Sequence, residues 1–225
     1  MFIGHWAPAF AAAAVSTDRP RLATFFVAGQ LVDWAFFPLF MSGIERARIV
    51  PGITEMSAFD FYHMPYTHSL LGTLVFAIVF GLFVRWVSGS ERGAILAGAV
   101  VLSHWVLDLL VHRPDLTLAG GANKLGLGLW NHPAIEIPLE LGITLAAFAW
   151  YMRATSGRTL PAVVLIGVML VAQAVSWFGP QPVDYSPALP LTAIAAFGVI
   201  TALAFWTGKT RTRRARPLAG NAAAG

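Results

Sequence analysis

Residues 102–113 read LSHWVLDLLVHR, and they close an apolar run that begins near Ala94. The run is long enough and greasy enough to cross a bilayer as a helix, yet it carries His104, Asp108 and His112 at steps of four. Such a step advances a helix by only about 40°, so the three side chains share one stripe. An ionisable group at bilayer depth is costly and marks a functional site by default. Three in register read as part of a ligand set whose partners lie elsewhere in the chain.

The rest of the sequence agrees with a membrane setting. Of 225 residues, 57% are hydrophobic and only 12% charged, and the mean hydropathy is +0.67. Apolar runs of roughly 20 residues recur, which a soluble domain of this size does not carry. Seven segments are predicted: 4–15, 22–41, 67–87, 93–112, 132–152, 160–178 and 188–207. The expected fold is an all-α, integral membrane bundle of about seven apolar helices, six spanning plus a short first helix. It forms a single transmembrane domain over 1–207, and a basic, disordered cytoplasmic tail is expected over 208–225. The N-terminal stretch MFIGHWAPAFAAAAVS lacks a basic leader region and holds His5 and Pro8, so it reads as a retained segment rather than a cleaved signal.

With no cysteine, disulfides and thiolate chemistry are excluded. The net charge of +4 is no nucleic-acid footprint, because much of the surplus sits in KTRTRRARP (209–217). Placing that tail in the cytoplasm puts Arg19, Arg21, Arg92, Arg153 and Arg158 on the same side, with Arg85 at the adjoining helix end, as the positive-inside rule asks. His5, His63, His68, His104, His112 and His132, all six histidines of the chain, then fall in the outer half.

The acids follow the histidines. Asp33 lies about 12 Å below the outer end of its segment, near the depth of His104. His132, Glu136 and Glu140 descend the fifth segment, again at steps of four. If segments four and five are neighbours, His112 faces His132, Asp108 faces Glu136 and His104 faces Glu140. Buried carboxylates with no Lys or Arg partner must be protonated or compensated by cations. His104 and His112 are about 12 Å apart along the helix and cannot easily share one ion, so two are expected, with Asp108 between them. Imidazole with carboxylate suits zinc first, then manganese or iron. Asp33 or Glu140 is the expected general base. In the outer 42–66 connection, Asp60, Arg46 and Arg48 read as solvated, and GGANKLGLGLWN (120–131) reads as a plain long connection.

At this point the residues resemble a known family. His63-Met64-Pro65-Tyr66-Thr67-His68-Ser69 followed by His104-x-x-x-Asp108 resembles the bacterial inner-membrane proteins described as membrane-bound metal-dependent hydrolases. These are distantly similar to the zinc-dependent phospholipase C and nuclease superfamily. The residues that match in chain order are His5, Asp33, His68, His104 with Asp108, His112, and His132 with Glu136. The resemblance covers about residues 1–140, and this chain has Met64-Pro65 where the inner-membrane family often has Arg-Gly. It implies a helical core holding two zinc ions, with a pattern that extends to three, that cleaves phosphoester bonds. One ion would be held by Asp33, His68, His104 and Asp108, the second by His112, His132 and Glu136. The resemblance implies the bacterial inner membrane; the positive-inside reading turns the metal site toward the extracytoplasmic side, and its depth just under the outer surface suits a membrane lipid or lipid-linked substrate.

The alternatives are a non-catalytic metal-binding membrane protein, a seven-helix zinc amidase and a transporter. The amidase draws ligands from its last helix, and segment seven offers none here. A transporter needs ionisable residues toward both faces.

Overall fold

The computed structural model describes residues 1–16 and 21–214. Arg19 and the tail from residue 215 onward, both used in the orientation argument, lie outside the described residues.

Five helices are long and apolar enough to span a membrane: α4 (Leu70–Ser88), α5 (Glu91–Val111), α6 (Pro133–Ala154), α7 (Leu160–Phe178) and α8 (Ala188–Thr210). A sixth span is the bent pair α2 (Leu22–Gly29) and α3 (Leu31–Met41), which turn by 46° at their junction. Before them comes a 3₁₀ turn (Ile3–Trp6) leading into the short α1 (Ala7–Val15). The protein is therefore a multi-pass helical membrane bundle.

Local chemistry explains the boundaries. Ser69 and Ser90 cap α4 and α5 by accepting from the amides of Gly72 and Gly93, both at 3.0 Å. Gly89 ends α4 in the left-handed region at φ 72°. Proline stands in the first turn of α1, α6 and α7, where its missing N–H leaves no bond unmade.

Packing departs from the sequence reading in one respect that decides the site. Helix α5 packs chiefly on α4, while α6 packs on α1. The first helix sits among α2, α5 and α6. Its sequence, APAFAAAAV, explains this: buried alanines let three neighbours close on one short helix, and Phe10 fills the remaining gap against Phe26 and Phe148. Segments four and five are thus not the facing walls that their antiparallel registry suggested. On the outside, α4 presents Leu71, Val75, Ile78, Leu82 and Trp86 as an exposed apolar stripe, as a bilayer-facing helix does.

At the end of the bundle that holds the His/Asp cluster, β1 (Arg46–Ile49) and β2 (Phe59–His63) form an antiparallel hairpin, and the 112–132 connection folds beside it. The amides of Leu70 and Leu71 donate to the carbonyls of Thr117 and Leu118, which ties that connection to the start of α4. Asp60, expected to be solvated, is buried: Arg48 donates to it at 2.7 Å from one strand over, and Arg113 donates to it from the end of α5. Two guanidinium groups compensate for its lost hydration.

At the opposite end, α8 continues to Thr210, and β4 (Arg211–Arg213) pairs with β3 (Thr155–Gly157). Residues 208–214 therefore belong to the folded domain, which corrects the boundary expected at 207. The reason is Arg211, buried and donating to Thr155 Oγ1 and to the carbonyls of Met152, Thr155, Gly157 and Arg158. A guanidinium there satisfies the loose carbonyls at the C-terminal end of α6.

Candidate metal centre

Five elements converge at one place: the Ile3–Trp6 turn, α3, the start of α4, the last two turns of α5, and the 112–132 connection. They bring together His5, Asp33, His68, His104, Asp108 and His112, six of the residues singled out by sequence. All are buried except Asp33, whose side chain keeps 19% of its exposure.

Three of the histidines are held by Nδ1. His104 Nδ1 donates to the Gly29 carbonyl at 2.9 Å. That carbonyl is free because the helix breaks at Gln30, so the bend between α2 and α3 supplies the anchor. Glycine is required there, since a Cβ at Gly29 would come within 2.6 Å of the His5 carbonyl. His112 Nδ1 donates to Asp115 at 2.8 Å. His68 Nδ1 lies 2.8 Å from Thr67 Oγ1, whose hydroxyl donates to the buried Glu45 at 2.5 Å and so accepts from the imidazole. Each bond fixes the tautomer and leaves Nε2 as the free lone pair, which is how proteins orient metal-ligating histidines.

Those lone pairs point at two carboxylates. His68 Nε2 is 3.3 Å from Asp33 Oδ1 and 3.6 Å from Asp108 Oδ2; His104 Nε2 is 3.6 Å from Asp33 Oδ1 and 3.1 Å from Asp108 Oδ2. Atoms about 2.0–2.1 Å from a common four-coordinate zinc lie about 3.3 Å from one another, so these separations suit shared coordination. The other oxygen of Asp108 faces a second set, His5 Nε2 at 3.0 Å and His112 Nε2 at 3.6 Å, with the Met1 nitrogen at 3.3 Å. Two groups close within ligand distance, His5 with His104 and Asp108, and Asp33 with His68 and His104. They share His104, whose Nε2 has one lone pair to give. His104 Nε2 and Asp108 Oδ2 are buried without any hydrogen-bond partner despite their proximity, and such orphaned donor atoms inside a membrane bundle are costly unless something binds them. The donor set fits a divalent cation.

Electrostatics points the same way. Among the described residues, no Lys or Arg pairs with Asp33 or Asp108; the Met1 ammonium, 3.3 Å from Asp108 Oδ1, offsets one of the two buried carboxylates and leaves the other to the imidazoles or a bound cation. His5 and His104 stack with centroids 3.8 Å apart and planes within 7°, an arrangement that two imidazolium rings would resist but two neutral ligands accept.

The remaining expectations fare differently. His112 is not on α5 but caps it, with extended backbone, which swings its ring toward Asp115. His132 is exposed and stands in neither group, because it caps α6, and α6 packs on α1. The place beside His112 is taken by Trp130, with ring centroids 4.3 Å apart. Glu136 is fully buried, with neither oxygen hydrogen-bonded, and also lies outside both groups. Glu140, expected as a general base, accepts from the amides of Phe2 at 2.6 Å and Gly4 at 2.8 Å and from Gln173 Nε2 at 3.2 Å. It holds the N-terminal turn in place. His63 ends β2 and is exposed.

Sequence reasoning missed Asp115, Thr67, Glu45 and Trp130. Asp115 had a short-range signal, three residues beyond His112 across a proline. Glu45 had none, because its bonds to Thr67 span more than 20 residues of loop and hairpin. Thr67→Val is expected to weaken divalent-metal affinity by ~10–100-fold, with Thr67→Ser restoring it; competitive chelation of the purified protein measures this.

No family model, curated protein or solved structure matches the chain.

Proposed function

We propose that this protein is a membrane-embedded, metal-dependent hydrolase that uses two Zn2+ ions to cleave a phosphoester in a lipid or lipid-linked substrate. The observation that carries the reading is the trio His68, His104 and His112, each pinned at Nδ1 and each turning Nε2 toward the carboxylates of Asp33 and Asp108. Asp33, His68, His104 and Asp108 Oδ2 would hold one ion; Asp108 Oδ1, His112 and His5 would hold the other. The second set replaces His132 and Glu136 in the ligand order implied by the resemblance to the membrane-bound metal-dependent hydrolases.

Divalent ions so held would supply an acidified water and a counter-charge for the phosphoryl oxygens. The side chains do the rest. Asp33, partly open to the adjoining cavity, is the carboxylate a reacting water can reach and is the proton acceptor. Asp115, Thr67 with Glu45, and the Gly29 carbonyl keep the imidazoles from turning. Trp130 covers His112 and excludes water from that side.

The basic residues Arg85, Arg153, Arg158 and Arg211 gather at the end of the bundle away from the cluster, which supports a cytoplasmic assignment for that end. The metal centre would then face the extracytoplasmic side of a bacterial inner membrane. Turnover of a panel of phosphodiesters and lipid phosphates, compared between metal-stripped and Zn2+-restored protein, tests the reading. Hydrolysis that vanishes on stripping and returns with zinc is expected; no turnover of any panel member by metal-loaded protein would contradict it.

A further inference from the structure

A cavity of 640 Å³ opens from the carboxylate cluster and runs between α3 and the adjoining ends of α7 and α8. Its size is that of an ordinary small-molecule site, but its walls are unevenly divided. At one end stand the histidines and aspartates. The remainder is formed largely by Phe36, Phe37 and Phe40 of α3 and by Ala193, Ala196 and Phe197 of α8. No Lys or Arg is among the described residues that line it. Gln173, a polar residue on that wall, spends both ends on the protein: Oε1 accepts from the Ile3 amide at 3.0 Å, and Nε2 donates to Glu140. The wall on α8 runs from Ala188 to Phe197, about 14 Å of helix, which is close to one leaflet's depth in a hydrocarbon core of about 30 Å. Alanines at 193 and 196 leave room that a larger side chain would fill.

A nucleotide, sugar or peptide would lose its hydrogen bonds to water here and find few replacements beyond Ser57, Ser176, Gln181 and Thr192. A hydrocarbon chain loses none. We propose that the cavity is a chain-binding site for a membrane amphiphile, which lies along α8 with its phosphate headgroup at the metal centre. The substrate class is then a lipid drawn from the leaflet on the metal-centre side, rather than a water-soluble phosphoester. The headgroup half of this assignment rests on the metal-hydrolase reading; the chain half rests on the cavity.

The test uses the full chain in lipid nanodiscs with a long-chain alkyl phosphate that carries a photoreactive diazirine near its chain end, and adducts are mapped by mass spectrometry. Adducts are expected on the α3 and α8 segments that carry Phe37, Ala193 and Ala196, and unlabelled dodecyl phosphate should compete them away. Ala196→Trp, and separately Ala193→Trp, should cut those adducts about tenfold by filling the cavity. Adducts on the outward faces at Leu191 and Val199, which report surrounding lipid, should not change. Adducts confined to the outward faces, or cavity adducts indifferent to both tryptophans, would overturn the proposal. Zinc content measured on each sample separates the two readings. Cavity adducts in a protein that binds no metal would leave the chain site standing and remove the hydrolase; stoichiometric metal with outward adducts only would do the reverse. Retained zinc in the tryptophan variants also shows that they fold.

Discussion

Asp108→Ala is expected to release all bound metal, whereas His68→Ala and His112→Ala should each release one ion. The asymmetry follows from where the two oxygens point. Oδ2 lies 3.1 Å from His104 Nε2 and 3.6 Å from His68 Nε2, while Oδ1 lies 3.0 Å from His5 and 3.6 Å from His112. Each histidine touches one side of the carboxylate, and Asp108 alone touches both. Losing a partner one shell further out already costs ~10–100-fold in affinity, so losing a bridging ligand should cost more. Misfolding is the rival explanation, and the metal-free state distinguishes it. Without metal, the wild-type carboxylate pairs with the Met1 ammonium at 3.3 Å, so truncating it carries a stability cost of its own, whereas Asp108→Asn, which keeps an oxygen facing that ammonium but is a much poorer metal ligand, should stay folded when stripped and still release its metal. Metal content together with thermal unfolding of the stripped wild type and the stripped Asp108→Asn protein in detergent gives the answer. An Asp108→Asn variant that keeps its metal, or that is unfolded when stripped, contradicts the bridging role.

Glu140→Ala should behave in the opposite way, as a stability defect rather than a catalytic one. Its carboxylate satisfies the buried amides of Phe2 and Gly4 and the Nε2 of Gln173. Truncation would strand these three donors at about 1–3 kcal/mol each, for a total of roughly 3–9 kcal/mol. It would also loosen the turn that carries His5. Glu140→Gln keeps one acceptor oxygen for the two amides and loses only the bond to Gln173, whose own oxygen is already committed to Ile3. The conservative variant should therefore unfold close to the wild-type temperature and keep its metal. A proton-transfer role would instead make Glu140→Gln inactive at full stability, so unfolding temperature and turnover measured side by side decide the matter.

Spans and the core of the buried His/Asp cluster were legible in the sequence because each follows from a local rule. A bilayer demands some 20 apolar residues per helix, and the observed ends of α4, α5, α7 and α8 lie within a few residues of the hydropathy reading. His104 and Asp108 were placed together by the four-residue step alone. Neighbour relations were not legible. Hydropathy says which segments enter the membrane, not which ones touch, and only the small side chains of α1 hint that a short helix could lie between α5 and α6. With that helix in place, the i+4 stripe of His132, Glu136 and Glu140 divides: His132 faces solvent, Glu136 is buried without a partner, and Glu140 braces the N-terminus. The outer anchors were hidden for a related reason. Asp115 acts through a loop, and Glu45 through a hairpin that brings distant backbone to His68, so neither leaves a periodic trace. Asp60 looked solvated because its two arginines lie 12 and 53 residues away.

The central claim is that buried histidines and carboxylates in this bundle are a metal centre rather than a packing network. Elemental analysis of the purified protein, after dialysis against buffer free of added metal, tests it most directly. Two zinc equivalents per chain are expected, and a His68→Ala, His112→Ala double variant should carry neither. A wild-type protein that is folded, monodisperse and free of stoichiometric divalent metal, even after incubation with zinc, would contradict the account.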